Sequence, residues 1–123
     1  GMQDKVIFLG NVVNKEIAYL YSASDVFIHP TYTEGFPRVL IEAMASGLPI
    51  VTTDAGGTAE LIGAQQKKYL TSRELPNDFA HSVIDLLDNK QDWQKLRIEN
   101  LEIVQKFSTE NVAKMYKDVI FDE

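Results

Sequence analysis

Residues 34–51 (EGFPRVLIEAMASGLPIV) predict a turn, a helix and a buried strand in direct succession. Gly35 gives the turn backbone freedom, and Pro37 keeps the residue before it away from helical angles while fitting the first position of a helix itself. Gly47 is placed to end that helix, and Pro49 prevents it from continuing. The segment is therefore a loop, a helix start and a strand.

Two glutamates frame the start of this helix. Glu34 lies in the turn, whereas Glu42 lies about five residues inside the helix, roughly 7 to 8 Å along its axis at ~1.5 Å per residue. Between them the helix N-terminus offers unpaired N–H groups and a partial positive charge, which suit a phosphate. This order of carboxylate, anion site and carboxylate fits an elongated ligand with hydroxyl groups at both ends, such as a nucleotide sugar.

Short apolar runs alternate with helical patterns along the chain, which predicts βαβ units and a mainly parallel sheet of about four strands. The predicted strands are residues 5–9, 25–29, 49–53 and 68–71. Ligands bind at the carboxyl ends of parallel strands. Residues 31–34 form the loop there after the second strand, and residues 54–58, with two glycines, form the loop after the third.

Capping residues and apolar periodicity predict the helices. Asn14 is expected to cap the first helix, Asn77 a later one, and Ser108 or Thr109 the last, with a further helix within residues 90–107. The residues expected on the apolar faces are Ile17, Leu20 and Tyr21, then Phe79, Ala80, Val83, Ile84 and Leu87, then Trp93, Leu96, Leu101 and Val104, and finally Val112, Met115, Tyr116 and Val119.

Composition excludes several classes of protein. The chain has 123 residues, 45% of them hydrophobic and 24% charged, which is ordinary for one soluble globular domain over residues 1–123. It contains no cysteine, so a disulfide framework and a thiolate metal site are excluded. The net charge of -6 argues against nucleic acid or an anionic lipid surface as a partner. With no signal peptide and no membrane-spanning run, we expect a cytoplasmic protein that does not itself insert into a membrane.

The motif around the two glutamates resembles the signature of retaining GT-B glycosyltransferases of the group 1, or family 4, type. The resemblance rests on two glutamates separated by seven residues, on Gly-Phe after the first, and on EAMA, Gly47 and PIV after the second. Residues 6–10 (VIFLG), 20–30 (LYSASDVFIHP) and 54–61 (DAGGTAEL) are similar to further sequence blocks of that family. The resemblance implies a Rossmann-like three-layer fold, as the later and larger part of the family's C-terminal, donor-binding domain.

The resemblance also implies roles for individual residues. Glu34 would be the catalytic residue, close to the transferred sugar, and Glu42 would accept hydrogen bonds from the ribose hydroxyls. The other residues implied at the donor substrate are Gly35, Phe36, Pro37, Arg38, Val39, Gly56 and Gly57. Taken alone, Glu42 and Arg38 are more typical of solvated charges on a helix, whereas the two glycines are equally typical of a plain tight turn.

The histidines and the metal-binding patterns give no further site. His29, before Pro30 at a strand end, is interpreted as structural, and His81 as a surface residue of a helix. The sequence has no Asp-x-Asp, HExxH, Walker or GxGxxG motif. We therefore expect no metal and no cofactor besides the nucleoside diphosphate sugar substrate.

The function implied by the resemblance is transfer of a glycosyl group from a nucleoside diphosphate sugar to an acceptor, with retention of anomeric configuration. An N-terminal domain outside this chain would hold the acceptor, so we expect the chain alone to be inactive. The alternative is a non-catalytic nucleotide-binding or assembly module of the same fold. A third possible function is phosphorolysis or sugar epimerisation. The chain lacks the cofactor lysine motif of phosphorylases, which argues against phosphorolysis. The complete protein is expected in the cytoplasm, either free or peripheral at the membrane.

The sheet order implied by the family, 3-2-1-4-5-6, makes residues 5–9 an edge strand whose neighbours lie outside this chain. A lone buried strand cannot satisfy its backbone groups. We therefore expect residues 5–9 to pair directly beside residues 25–29, or to pair in a homodimer through the exposed edge of the sheet.

Overall fold

The computed structural model describes residues 1–35, 37–110 and 113, and within them the protein is an α/β fold around a parallel sheet. The strands are β1 (Phe27–His29), β2 (Ile50–Asp54) and β3 (Leu70–Ser72), paired in the order β1-β2-β3. The α-helices are α1 (Asn14–Ala23), α2 (Arg38–Ala45), α3 (Thr58–Leu61), α4 (Pro76–Asp88) and α5 (Trp93–Gln105). Short 3-10 helices span Gln3–Lys5, Gln66–Tyr69 and Lys90–Asp92. The predicted α/β class is confirmed.

The sheet is covered on both faces because neighbouring residues of a strand point in opposite directions. Ile50 belongs to a buried cluster with residues of α2 and α3, against which α1 and α5 also pack. The next residue, Val51, belongs to a second buried cluster with Leu86 of α4 and Leu96 of α5. Two apolar layers on one sheet make the three-layer arrangement that the sequence predicts.

Helix α2 ends as the sequence predicts. Its buried face consists of Leu40, Ala43 and Met44. At its C-terminus Gly47 has a φ of +76°, its N–H donates to Met44 O, and the N–H of Leu48 donates to Ala43 O. This is the Schellman pattern, in which a left-handed glycine lets two late carbonyls of the helix find donors.

The prediction that residues 5–9 form a buried strand beside β1 is wrong. Lys5 ends a 3-10 turn, and Ile7 and Phe8 are 81% and 93% exposed. An apolar run becomes a strand only where a neighbour offers N–H and C=O groups in register. In the sheet order that the sequence implied, those neighbours lie outside this chain, so the described sheet has three strands rather than about four. Pairing in a homodimer stays a prediction.

Some boundaries and faces of the helices also differ from the prediction. Val13 rather than Asn14 precedes α1, and Leu75 rather than Asn77 precedes α4, where Pro76 takes the first turn. The sequence placed Ile84 and Leu87 on the buried face of α4, but both are exposed, and Leu86 is the buried residue instead. Helix α4 packs on the sheet through Phe79, Val83 and Leu86, a narrower stripe than the apolar pattern suggests.

A buried polar cluster completes β2 where β3 does not reach. The side-chain amide of Gln66 accepts a hydrogen bond from Ile50 N at 3.2 Å and donates one to Ile50 O. Asn100 of α5 donates to Leu48 O at 2.9 Å and to Gln66 Oε1 at 3.2 Å. Pairing with β3 begins two residues later, at Thr52 and Leu70. The carboxamide of Gln66 thus takes the place of a strand at Ile50.

Two further predictions concern the chain as a whole. Among the described helices, none combines the length and the apolar character needed to cross a membrane. The residues predicted on the apolar side of the last helix, Val112, Met115, Tyr116 and Val119, lie outside the described residues.

Candidate functional site

The loop that follows β1 is held in place by two threonines of β2. Thr53 Oγ1 accepts a hydrogen bond from Thr31 N at 2.9 Å and donates one to Thr31 O. Thr52 Oγ1 donates to His29 O at 3.1 Å. Both threonines are buried at the carboxyl end of their strand, so the backbone of the loop is satisfied by side chains where the sheet ends.

The tip of the same loop is held from the other side. Arg73, which follows β3, donates from Nη1 to Tyr32 O at 2.9 Å. Thr31 Oγ1 donates to Thr33 O at 2.9 Å and closes the turn internally. Thr31, Tyr32 and Thr33 each take part in a hydrogen bond, so the backbone immediately before Glu34 is fixed.

Glu34 is paired with a histidine of β1. His29 Nε2 lies 2.9 Å from Glu34 Oε2, and the two side chains are only 20% and 22% exposed. The histidine ring stacks on Phe27, with 5.8 Å between ring centroids and 18° between planes. The carboxylate is therefore held at the carboxyl end of β1, partly shielded from water.

The glycine loop after β2 touches the backbone of this loop. Gly56 has a φ of +54°, and a Cβ atom at this residue would overlap the carbonyl oxygen of Glu34. At Gly57 a Cβ atom would lie 3.4 Å from Gly35 O. The two loops that the sequence assigned to one site are thus in van der Waals contact, and glycine permits the approach.

The start of α2 lies directly after this contact. The first helical hydrogen bonds run from Leu40 N and Ile41 N to Pro37 O, so the N–H groups of Arg38 and Val39 precede the bonded ladder. Pro37 is buried, whereas Arg38 and Val39 are exposed. Pro37 stands immediately before the helix rather than in its first position, and Phe36 lies outside the described residues.

Glu42 lies apart from Glu34, on the exposed side of α2. Its Oε2 accepts a hydrogen bond from Tyr21 of α1 at 3.3 Å. Burial, and then the charge and hydrogen bond of Glu42, raise the pKa of Tyr21 above its ordinary value. Glu42 lines a groove of about 370 Å³ between α1 and α2, whose other lining residues are Asn14, Ile17, Ala18, Tyr21, Ala45 and Ser46. That groove does not include Glu34, so a single pocket for both glutamates stays a prediction.

A larger cavity lies at the carboxyl ends of β2 and β3. It has a volume of about 550 Å³ and is lined by Asp54, Gly56, Leu70, Thr71, Ser72, Arg73 and Glu74. The cavity is thus continuous with the glycine loop that contacts Glu34. Sequence patterns gave no sign of it because β3 is short and weakly apolar.

Sequence reasoning missed the residues that support the site. Thr52, Thr53 and Arg73 hold the loop that precedes Glu34, and Tyr21 holds Glu42. None of the four belongs to the motif around the two glutamates. A signal existed for the threonines, since two adjacent polar residues end an otherwise apolar strand. His81 is exposed, as predicted. No cluster of three or more potential metal ligands occurs in the described part of the chain.

A carboxylate loop and a glycine loop in contact at the carboxyl ends of parallel strands are typical of α/β domains that bind ligands there. The sequence profile described as glycosyl transferases group 1 matches residues 1–117. The chain therefore belongs to the group 1 glycosyl transferases, and the resemblance found in its motifs is confirmed.

Individual relatives agree with this assignment. The chain is 35% identical over 115 residues to spore coat protein SA of Bacillus subtilis (strain 168). The match covers 91% of this chain and 30% of that protein. It is 39% identical over 82 residues to a GDP-mannose-dependent alpha-mannosyltransferase of Mycobacterium tuberculosis (strain CDC 1551 / Oshkosh), covering 63% of this chain and 22% of that protein.

A solved structure agrees as well. The fold superposes on sucrose-phosphate synthase from Thermosynechococcus elongatus with a TM-score of 0.82 and 27% sequence identity, over 98% of this chain and 31% of that one. The chain thus spans less than a third of the length of each of these three proteins.

Proposed function

We propose that this chain forms part of the donor site of an enzyme that moves a sugar from a nucleoside diphosphate sugar to an acceptor with retention of anomeric configuration. The observation that carries the proposal is the contact of the Glu34 loop with Gly56 beside the start of α2, in a chain of the group 1 family. A diphosphate at this helix start would meet free amides and a partial positive charge. An N-terminal domain outside this chain would hold the acceptor.

Glu34 is the proposed catalytic residue. When the bond to the diphosphate breaks, positive charge develops at the anomeric carbon of the sugar, and a fixed carboxylate stabilises that charge. The Glu34 side chain is 22% exposed, so its field is less weakened by water than that of a fully solvated glutamate. Its position, rather than its mere presence in the motif, supports this role.

Glu42 is proposed to bind the ribose of the donor. A carboxylate accepts hydrogen bonds and donates none, so it suits a pair of neighbouring hydroxyl groups. Glu42 is exposed, and Tyr21 holds one of its oxygens. The backbone of Gly35 to Val39 would contact the sugar and the diphosphate, and Gly56 and Gly57 would add a second set of amides.

The test of this function uses the complete glycosyltransferase that contains this chain. Transfer and donor hydrolysis are measured with UDP-glucose, UDP-N-acetylglucosamine and GDP-mannose. Glu34→Ala is expected to lower kcat at least about 100-fold, because a preorganised charge is lost at the reacting centre. The matched control is Glu102→Ala, an exposed glutamate of α5, which is expected to behave as the wild type.

The same experiment separates the proposal from the alternative. If Glu34→Ala turned over donor at the wild-type rate while Glu42→Ala weakened nucleotide binding, the chain would be a non-catalytic nucleotide-binding module. Cytoplasmic location and the absence of a metal requirement stay predictions. The second is checked by assaying donor hydrolysis after treatment with a chelator.

A further inference from the structure

The two carboxylate oxygens of Glu34 have different surroundings. Oε2 is bonded to His29 Nε2 at 2.9 Å. Within the described part of the chain, no hydrogen bond reaches Oε1. One oxygen is therefore held and the other is available, and the side chain has a defined orientation before any ligand arrives.

His29 is the better-fixed member of this pair. It pairs with Thr52 in the parallel register of β1 and β2, and its carbonyl accepts a hydrogen bond from the hydroxyl of the same threonine. Its ring stacks on Phe27, which belongs to the packed face of the sheet. A ring held at its backbone and on one face presents Nε2 at a fixed point, so His29 can orient Glu34.

We propose that His29 is a positioning residue, which binds Oε2 of Glu34 and thereby directs Oε1 towards the transferred sugar. The inference rests on the proposed function of Glu34. A carboxylate that is already oriented needs no reorganisation when charge develops at the anomeric carbon. His29 itself does not contact the sugar in this scheme, so its effect on the reaction runs through Glu34.

Three substitutions separate positioning from packing in the complete glycosyltransferase. In His29→Gln the side-chain amide nitrogen can lie near the former position of Nε2. The asparagine side chain of His29→Asn is shorter, so its amide nitrogen lies near the former position of Nδ1 instead. His29→Phe keeps a ring that can stack on Phe27 but has no donor. We expect His29→Gln to keep most of kcat for donor hydrolysis, and His29→Asn and His29→Phe to lose about 10- to 100-fold.

The readouts are kcat and KM with the best-bound donor of the three named above, together with the Tm of each variant. A role in packing alone would make His29→Gln and His29→Asn equally harmful, because both remove the stacked ring, and would leave His29→Phe close to the wild type. Either result overturns the inference. Wild-type turnover in Glu34→Ala would instead refute the proposed function of Glu34, and the inference with it.

A second measurement needs no variant of His29 and uses the 123-residue chain. The 15N chemical shift of His29 Nε2 is expected to move in Glu34→Ala, because the ring loses its hydrogen-bond partner. His81, which is exposed on α4, is the internal reference and is expected to stay unchanged. An unchanged shift at His29 would show that the contact is absent in solution and would overturn the inference.

Discussion

The carbonyl oxygen of Glu34 occupies the space in which a Cβ atom of residue 56 would lie. Gly56 also has a φ of +54°, in the left-handed region. Two independent constraints, one of space and one of backbone angle, therefore require glycine at the point where the two loops of the candidate site meet.

Gly56→Ala tests both constraints. We expect the positive φ of an alanine at residue 56 to lower the unfolding free energy by about 1–2 kcal/mol. Displacement of the Glu34 carbonyl should lower it further. Gly10→Ala is the matched control, because Gly10 has a φ of +66° and no atom of the described residues lies within 4 Å of the added Cβ. Urea unfolding compares the two variants. Equal losses, or unchanged amide shifts of Glu34 and Gly35 in Gly56→Ala, would contradict the close approach.

Thr53→Val tests how the loop is held to β2. The substitution leaves Thr31 O without its donor from Thr53 and leaves Thr31 N with its hydrogen bond to His29 O at 3.0 Å alone. A buried polar group left unpaired costs about 1–3 kcal/mol. Thr71→Val is the matched control on the neighbouring strand, because Thr71 is the register partner of Thr53 and its buried hydroxyl has no hydrogen bond to any residue that the structure describes. We expect Thr71→Val to be neutral or stabilising. Unfolding by denaturant measures both, and similar losses would argue against a specific role of Thr53.

Gln66→Leu tests whether a side-chain amide replaces a strand at Ile50. Because Ile50 N and O would lose a buried partner, we expect a loss of about 2–4 kcal/mol. Gln65→Leu is the control, since Gln65 is exposed and uses its backbone N–H to bond Glu99. Hydrogen exchange at Ile50 N gives a second readout. Protection of this amide that survives in Gln66→Leu would contradict the prediction.

The pH dependence of stability tests the contact of Tyr21 with Glu42. Burial first, and then Glu42, raise the pKa of Tyr21 above its ordinary value of 10.0. A group whose pKa is raised on folding stabilises the native state below its unfolded pKa and loses this contribution as the pH rises through the folded value. The unfolding free energy should therefore fall above about pH 10, and less steeply in Tyr21→Phe.

Tyr69, whose pKa burial also raises, titrates in the same range. The difference between the wild type and Tyr21→Phe isolates Tyr21, because both proteins keep Tyr69. Identical slopes in the wild type and Tyr21→Phe would refute the contact.

The chain alone is expected to bind nucleoside diphosphate sugars weakly and to transfer no sugar. Its net charge of -6 opposes a diphosphate, and a helix N-terminus compensates by only about 0.3 to 1 kcal/mol. We expect dissociation constants near millimolar, about -4 kcal/mol. Calorimetry with UDP-glucose and GDP-mannose measures these dissociation constants. Inorganic diphosphate, titrated in the same buffer, measures how strongly the anion binds without the sugar and the nucleoside. Micromolar affinity would show that the charge argument is wrong.

The parts of the fold that sequence predicted are those with local causes. Gly47 and Pro49 end α2 through backbone angles that act within a few residues, so its C-terminus was correctly placed. The prediction of a strand at residues 5–9 failed because its cause is not local. Their apolar side chains predict burial, but a strand also needs a neighbour, and the neighbour depends on the rest of the sheet.

The same limit applies to the candidate site. The loops of Glu34 and Gly56 were each recognised from local signals, but their contact depends on the register of β1 and β2. The bonds between Thr31 and Thr53, and between Arg73 and Tyr32, join residues that local patterns cannot connect. Sequence thus predicted the two loops of the candidate site but not the hydrogen bonds that hold them.

The strand order β1-β2-β3 follows the order of the chain, and this bears on how the protein folds. Phe27 pairs with Ile50 and Thr52 with Leu70, so each strand finds its partner among the residues that come next. Because the three described strands pair in chain order, a growing chain can complete these pairings from its N-terminal side. We therefore expect the Glu34 loop and α2 to be in place when the glycine loop emerges from the ribosome and closes against them, before α4 covers the other face of the sheet.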